Sequence, residues 1–449
     1  MHRNCEKNLF RLVYHNSGRK KNDCAIVIPS ANAVELLEDH LSLLAKQTTR
    51  DFDVIIIGEA PNRAPTGLNL IIYKEKYPLG SSGGFGLGRL LAHSLGYDCI
   101  MNADIDCFPV SSNLVKKLED LAKAEQKMVV PFSAPNSRCM PDESTGKPGG
   151  STGYGTNQYG AVPRSVLERS GFEYFRLFKG AEDHELFERL GMDDLLLCTN
   201  EVRVLHKSQL FDYIALLKFH GNKYIYYKKS AVIAKILLTS YALRKGMPVR
   251  AVKYALDAYS DVIKTQLFYS NYPDITKPVY EALFLGMDGV SVARTTSLAI
   301  FKPPAGAKKL VLSFGEKAGE QTLDFTVGTG TLGKMRLLTI LWKAVLSDAD
   351  YFEPTEKFLK SQARFFPILL MIKPMRYSDG IVYSSGMAGW QAPSNAIKTA
   401  LLSPFIILVL LSSIIKAGVI AYPAKLENLE DNLLKFLEYV KKFQLLQER

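Results

Sequence analysis

Hydrophobic and polar positions switch between two periods along the first half of the chain. Ala25-Ile26-Val27-Ile28-Pro29 is a short apolar run, Val34 to Lys46 carries helical periodicity, and Phe52 to Ile57 is rich in β-branched residues. Together they predict strand, helix, strand. A third apolar run, Leu70 to Tyr73, leads into a glycine-rich stretch expected to form a loop, then a helix from about Gly88 to Leu95 and a strand over Asp98 to Asn102. Repeated βα units imply a mainly parallel sheet with ligands bound outside the carboxyl ends of its strands. Residues 131–160 are rich in Gly, Ser, Pro, Thr and Asn and predict a long loop of the kind that often binds ligands. A helix over Val162 to Ser170 stopped by Gly171, a helix from about Glu182 to Leu190 and a strand near Val202 to Leu205 close this unit near Leu210.

The second half changes character. Residues 211–270 predict two or three long amphipathic helices, and alternating runs within 285–330 predict a small β-containing insert. Thr399 to Ile415 is almost free of charge and reaches Tyr422 if Lys416 is tolerated, which at about 17 to 24 residues is the length of a marginal membrane span. A single span, an in-plane helix and a buried helix are all open on this pattern. Arg364 to Tyr377, an apolar run framed by cations and an aromatic, has an interfacial composition, and Leu426 to Gln447 is amphipathic. The resulting division is an N-terminal extension (1–22), an α/β domain (23–210), a basic helical region (211–280), an accessory region with a small β insert (281–395), a hydrophobic helix, membrane-associated or spanning (396–422), and an amphipathic helical tail (423–449).

Composition narrows the class. At 449 residues with 47% hydrophobic and 22% charged positions, the chain has the make-up of a folded protein of more than one domain, not of a disordered or collagen-like one. The net charge of +11 is concentrated between Lys207 and Lys277, where twelve Lys and Arg face four Asp and Glu. Nucleic acid, an anionic membrane or a phosphorylated substrate would each reward such a surface. No nucleic-acid-binding motif accompanies it, so nucleic acid ranks last. Six cysteines lack any C-x-x-C spacing, against a zinc ribbon or a disulfide scaffold, and Met1 to Lys21 lacks the apolar core of a secretory signal; both point to the cytosol.

The candidate chemistry lies in the first half. Asp104 and Asp106 follow a buried strand, and alternate residues of an extended segment point the same way, so the pair could grip one hard divalent cation through oxygen. Gly180-Ala181-Glu182-Asp183-His184-Glu185 places acids at a helix start, where the dipole favours an ionised carboxylate; plain helix capping is the competing role. His206 follows a short strand and could offer a third ligand, although a lone histidine is more often structural. Leu79 to Arg89 fails the spacing of a dinucleotide fingerprint and lacks the Gly-Lys-Ser/Thr ending of an NTPase loop. It remains a backbone that could approach a nucleotide closely, with Gly83 and Gly84 in the bend and Arg89 as a phosphate partner.

Taken in order, these segments resemble the family-two glycosyltransferases of GT-A fold, in style closest to the bacterial rhamnosyltransferase and galactofuranosyltransferase branch. Ala25 to Asn32 is similar to the opening strand, Leu79 to Gly88 to the Gly-Gly-x-Gly-Gly-Phe segment, and Asn102 to Asp106 to the metal motif. Gly171-Phe172, Glu182-Asp183-x-Glu185 and Val204-Leu205-His206 complete the series. The resemblance implies a mostly parallel α/β fold with a largely helical C-terminal region. It implies Mg²⁺ or Mn²⁺ held by Asp104, Asp106 and His206, and Asp183 as general base of an inverting transfer. It also implies a nucleotide-sugar site at Pro29, Ser30, Asn32, Glu59, Gly83, Gly84, Arg89, Asp104 and Glu182. The acceptor would be a glycan or lipid-linked glycan on the cytoplasmic side of the cell membrane, with the enzyme peripheral or single-span. One departure is that Gly58-Glu59 stands where the family's second strand ends in an Asp. A non-catalytic sugar-nucleotide-binding scaffold and a sugar nucleotidyltransferase are the alternatives; the latter would have a Gly- and Arg-rich loop where Pro29 to Asn32 stands.

Overall fold

The computed structural model describes residues 10–15, 21–30, 34–63, 65–77, 79–134, 157–177, 181–206, 223–269, 279–283, 298–315, 321–326, 336, 339–344, 346–355, 357–358, 369, 372–376, 382–385, 392–420 and 422–447. The loop expected over 131–160 lies largely outside these residues, as do Asn32 and most of Arg364 to Tyr377.

Nine strands form the main sheet: β1 (Phe10–His15), β2 (Cys24–Ser30), β3 (Phe52–Gly58), β4 (Asn69–Glu75), β5 (Cys99–Ala103), β6 (Cys107–Pro109), β7 (Met128–Ala134), β8 (Gln158–Pro163) and β9 (Leu196–His206). Their spatial order is β1-β4-β3-β2-β5-β8-β7-β9-β6. The centre, β4-β3-β2-β5, is parallel, while β1, β8 and β6 run antiparallel to their neighbours. The chain steps outward from β2 to β4 and then returns to lay β5 on the other side of β2. This reversal is a topological switch point at the carboxyl ends of β2 and β5, the place where α/β sheets bind ligands.

Alternation along the central strands explains the layers. Ala25 and Val27 of β2, with Ile55 and Ile57 of β3, face one core, and Cys24, Ile26 and Ile28, with Val54 and Ile56, face the other. Helices α1 (Val34–Leu44) and α3 (Leu114–Glu125) cover the second face through Leu37, Leu41, Leu114 and Leu118. The first is covered by α2 (Gly80–Ser94), α4 (Arg164–Ser170) and α5 (Glu182–Met192). Gly171 follows α4 with φ +83°, a left-handed stop that glycine adopts readily.

Two more helices, α6 (Lys223–Arg244) and α7 (Pro248–Tyr269), pack with α8 (Ala392–Gly418) into a helical unit whose core also takes in Tyr174, Leu177 and Met192 from the sheet domain. The tail helix α9 (Leu429–Gln447) returns to the first half. Leu429, Leu433, Phe436 and Val440 lie one turn apart and bury in the core that α2 covers.

Three sequence expectations need correction. The glycine-rich stretch is not a loop: α2 begins at Gly80. Residues 10–15 are not a simple extension, because β1 pairs with β4 as the sheet's edge. The insert is larger than a small one: β10 (Leu298–Phe301), β11 (Lys309–Ser313), β12 (Thr322–Asp324), β13 (Tyr351–Pro354), β14 (Met375–Arg376) and β15 (Val382–Ser385) form a six-stranded sheet.

Candidate functional site

The carboxyl end of β5 turns at Asp104. The Cys107 N–H donates to the Asp104 carbonyl at 2.9 Å, closing a tight turn through Ile105 and Asp106 into β6. Both aspartates are partly exposed. The turn is held from beneath: His40 on α1, fully buried, donates its Nδ1–H to the Ile105 carbonyl at 3.1 Å, which leaves Nε2 to accept from the Tyr159 hydroxyl. Burial pushes the His40 imidazole down to about 4, so it is neutral at physiological pH and suited to this double role. Neither His40 nor Tyr159 was legible as a site residue, since one looks like an ordinary helix residue and the other falls at the end of the stretch that reads as a loop.

The strand register supplies a third group. Antiparallel pairing of β6 with β9 sets Cys107 opposite His206, so the histidine backbone arrives one residue from Asp106 although a hundred positions separate them in sequence. The His206 side chain lies outside the described residues, among which no group of three or more His, Cys, Asp or Glu side chains could hold a metal. Two carboxylates and the His206 backbone thus meet at one strand end. Burial, with Asp104 and Asp106 beside it, pushes the Cys107 thiol well above its usual range, which keeps that residue a packing group.

A buried polar network connects this turn with α5. Asn102, two residues before Asp104, donates through Nδ2 to the Phe85 carbonyl, Asn157 Oδ1 and Glu173 Oε1 at 3.3–3.4 Å. Glu173 pairs with Arg89, both fully buried. Burial pushes the Glu173 carboxyl up while Arg89 pulls it back, and the charges of Glu185 and Arg189 on α5 reach it as well. Arg189 donates to Glu185 at 2.6 Å and to the carbonyls of Ser170 and Phe172, and the Tyr422 hydroxyl donates to the same glutamate. The i,i+4 spacing of Glu185 and Arg189 was visible in sequence; the role of Glu173 carried no local signal. The network fixes the first turn of α5, where Glu182 is buried and Asp183 half-buried, with Asp183 Oδ1 accepting from the His184 N–H at 2.8 Å.

Arg89 therefore does not wait for a phosphate: its guanidinium is enclosed and paired with Glu173. The glycines also serve a different end. A Cβ at Gly83 would meet the Phe436 ring at 2.7 Å, one at Gly84 would meet Pro29 at 3.2 Å and one at Gly86 would meet Phe175 at 2.8 Å. They let α2 press onto the sheet and onto α9, and they do not form an exposed cradle.

At the carboxyl ends of β2, β3 and β4, Ser30, Gly58 and Glu75 lie side by side. Gly58 has φ +120°, and a Cβ there would run into the Ser30 carbonyl oxygen, so no aspartate fits at this position. The close approach of the two strands is held by the Glu59 N–H, which donates to that carbonyl at 3.0 Å. Glu59 follows half-buried, and Ser30 Oγ is buried with no hydrogen-bond partner among the described residues. Burial, with Glu59 adding repulsion, lifts the Glu75 carboxyl to about 7. Sequence reasoning missed Glu75, whose place beside Glu59 depends on the β3–β4 register.

No family model matches this chain, and no curated protein does. Among solved structures, the chain is similar to the mannosyltransferase PcManGT from Pyrobaculum calidifontis in complex with GDP-Man and Mn2+, at 13% identity over 65% of this chain and 81% of that one, TM-score 0.35. It is similar to S. aureus TarS at 10% identity over 58% and 46%, TM-score 0.36. GalNAc-T7 with UDP, GalNAc and Mn2+ matches at 14% over 41% and 43%, TM-score 0.33. The match spans under half the length of each of these last two chains.

Proposed function

We propose that the chain is a metal-dependent glycosyltransferase of GT-A type that moves a sugar from a nucleoside diphosphate donor to a hydroxyl of a glycan or lipid-linked glycan. The observation that carries this reading is the convergence, through the β6–β9 register, of Asp104, Asp106 and the His206 backbone at the carboxyl end of a mostly parallel sheet. Mg²⁺ or Mn²⁺ held there would neutralise charge growing on the departing diphosphate. Asp183, at the first turn of α5, is the group assigned to take the proton from the acceptor hydroxyl, in a single inverting displacement. Pro29, Ser30 and Glu59, at the strand ends, are assigned to the nucleotide. Gly58 accounts for the absence of an aspartate there on backbone grounds.

A lipid-linked acceptor would be met at the cytoplasmic membrane face, with the protein peripheral or single-span there. A thermal-shift screen of nucleotide sugars with and without Mn²⁺ tests the reading, beginning with donors of the rhamnosyltransferase and galactofuranosyltransferase branch. A donor of the right class raises the unfolding midpoint only with metal, because binding to the native state stabilises it. Asp106→Ala abolishes both the shift and metal-dependent donor hydrolysis. A full screen with no metal-dependent shift overturns the proposal.

A further inference from the structure

Helix α8 has two unlike faces. Ile406, Val409, Leu410, Ile414 and Ala417 are buried against α6 and α7. On the other side Ile397, Leu401, Phe405, Leu408 and Ile415 are 55–76% exposed. With Leu411 between them they recur every three or four residues, so they form one line along the helix of about 27 Å at 1.5 Å per residue. No charged residue interrupts α8 between Lys398 and Lys416. An unbroken apolar stripe of this length is not an ordinary surface for a protein in water.

We propose that α8 lies flat in the headgroup boundary of an anionic lipid bilayer, its apolar stripe toward the acyl chains and the first turns of α7 as its basic flank. This places the membrane-facing surface and its mode, and it stands independently of the chemistry assigned to Asp104 and Asp183.

Spanning is opposed by what covers the inner face. A helix crossing the bilayer would carry α6 and α7 with it, and α7 holds Arg250, Lys253, Asp257, Asp261 and Lys264. Such a set does not enter hydrocarbon. Lying flat, α8 keeps its packing and buries only the stripe. Charge argues for lipid over a second copy of the chain. Lys398 and Lys416 are exposed at the two ends of the stripe. On α7 the exposed Val249, Val252 and Leu256 alternate with the exposed Arg250 and Lys253. The Tyr259 hydroxyl and Ser403 Oγ join the two helices. Apolar residues interleaved with cations are the composition of interfacial helices, which combine insertion with attraction to anionic headgroups. The stripe itself offers none of the hydrogen-bonding groups that a protein interface normally distributes across its area.

The test uses the purified full chain and sucrose-loaded vesicles, either pure phosphatidylcholine or with about a third phosphatidylglycerol, where each nearby cation adds attraction. The chain should sediment with the mixed vesicles and less with the neutral ones. The triple variant Leu401→Asn/Phe405→Asn/Leu408→Asn should lose binding at least tenfold on both, and Arg250→Glu/Lys253→Glu only on the anionic vesicles. These side chains are exposed, and an unchanged melting curve shows that the variants fold. Orientation is read with a fluorophore on Leu401→Cys, Leu408→Cys or Ile415→Cys and brominated lipids. Equal, shallow quenching at all three sites supports the flat helix, whereas a central maximum at Leu408→Cys means a span and overturns it. Absence of vesicle binding, or a dimer in sedimentation velocity that the triple variant abolishes, also overturns it.

Discussion

The nine-stranded sheet and the α6–α7–α8 unit depart from the usual rule of burial in opposite directions. Around the sheet, Arg89, Glu173, Glu185 and Arg189 are fully enclosed, whereas α8 turns leucines, isoleucines and a phenylalanine outward. Charged side chains are seldom enclosed, because leaving water costs several kcal/mol per ion unless partners compensate. Here they compensate one another and tie the strand before Asp104 to the helix whose first turn holds Asp183. The outward stripe has no cover among the described residues. The first region is complete as it stands and fixes geometry; the second, on the proposal made above, is completed by a lipid surface.

Breaking the enclosed set should have the largest effect. Glu173→Gln takes from the enclosed Arg89 the carboxylate that balances its charge, and unfolding in urea should show a loss of about 3–5 kcal/mol. Replacing Arg89 and Glu173 together by Met and Leu should cost far less, because no orphan charge remains. A Glu173→Gln protein as stable as the parent would mean that the pair does not hold the site. Next comes Asp183→Asn, half-buried at the start of α5, which should lower turnover about 10²-fold while leaving the unfolding midpoint nearly unchanged. Near-normal turnover would remove Asp183 as the base.

This contrast also marks what the sequence made legible. The central strands were readable because β-branched runs bounded by polar turns have few other uses, and α5 because acids gather at its start. The glycines of α2 misled, since glycine is a poor helix former; tertiary packing overrides that preference where Phe436, Phe175 and Val27 press on the helix. β1 gave no clear period because it is an edge strand with only Phe10 buried. The order of the motifs was visible, but their meeting was not: Asp106 reaches His206, and Glu59 reaches Glu75, only through strand registers. Equally, the charge-free run at 399–415 was plain, and only packing shows which of its faces is already covered.

Glu75 lies between the two extremes, at the rim of the sheet, and predicts a smaller effect with a definite sign. Its carboxyl titrates at about 7 in the folded protein against an ordinary value of 4.5. Between these values the folded chain holds a proton that the unfolded chain has released, so stability falls as pH rises through this window and levels above it. Glu75→Gln should flatten the profile, the two proteins differing in slope by on the order of 1–2 kcal/mol between about pH 5 and 8 after allowance for partial exposure. Urea midpoints across that range provide the measurement, and parallel profiles would mean that Glu75 is as well solvated as a surface carboxylate.

The smallest effect is expected on the outer face of α8. Leu408 is 66% exposed and contributes little to the core that Ile406 and Leu410 form on the other side of the same turns. Leu408→Gln should therefore change the unfolding free energy in water by no more than about 0.5 kcal/mol. Its consequence should appear only when lipid is present. Anionic vesicles that bind the native state raise the parent's melting midpoint by mass action, and the variant should gain less of that increase. A leucine that mattered in water as much as its buried neighbours would belong to the protein's own core, and the stripe would then need no partner.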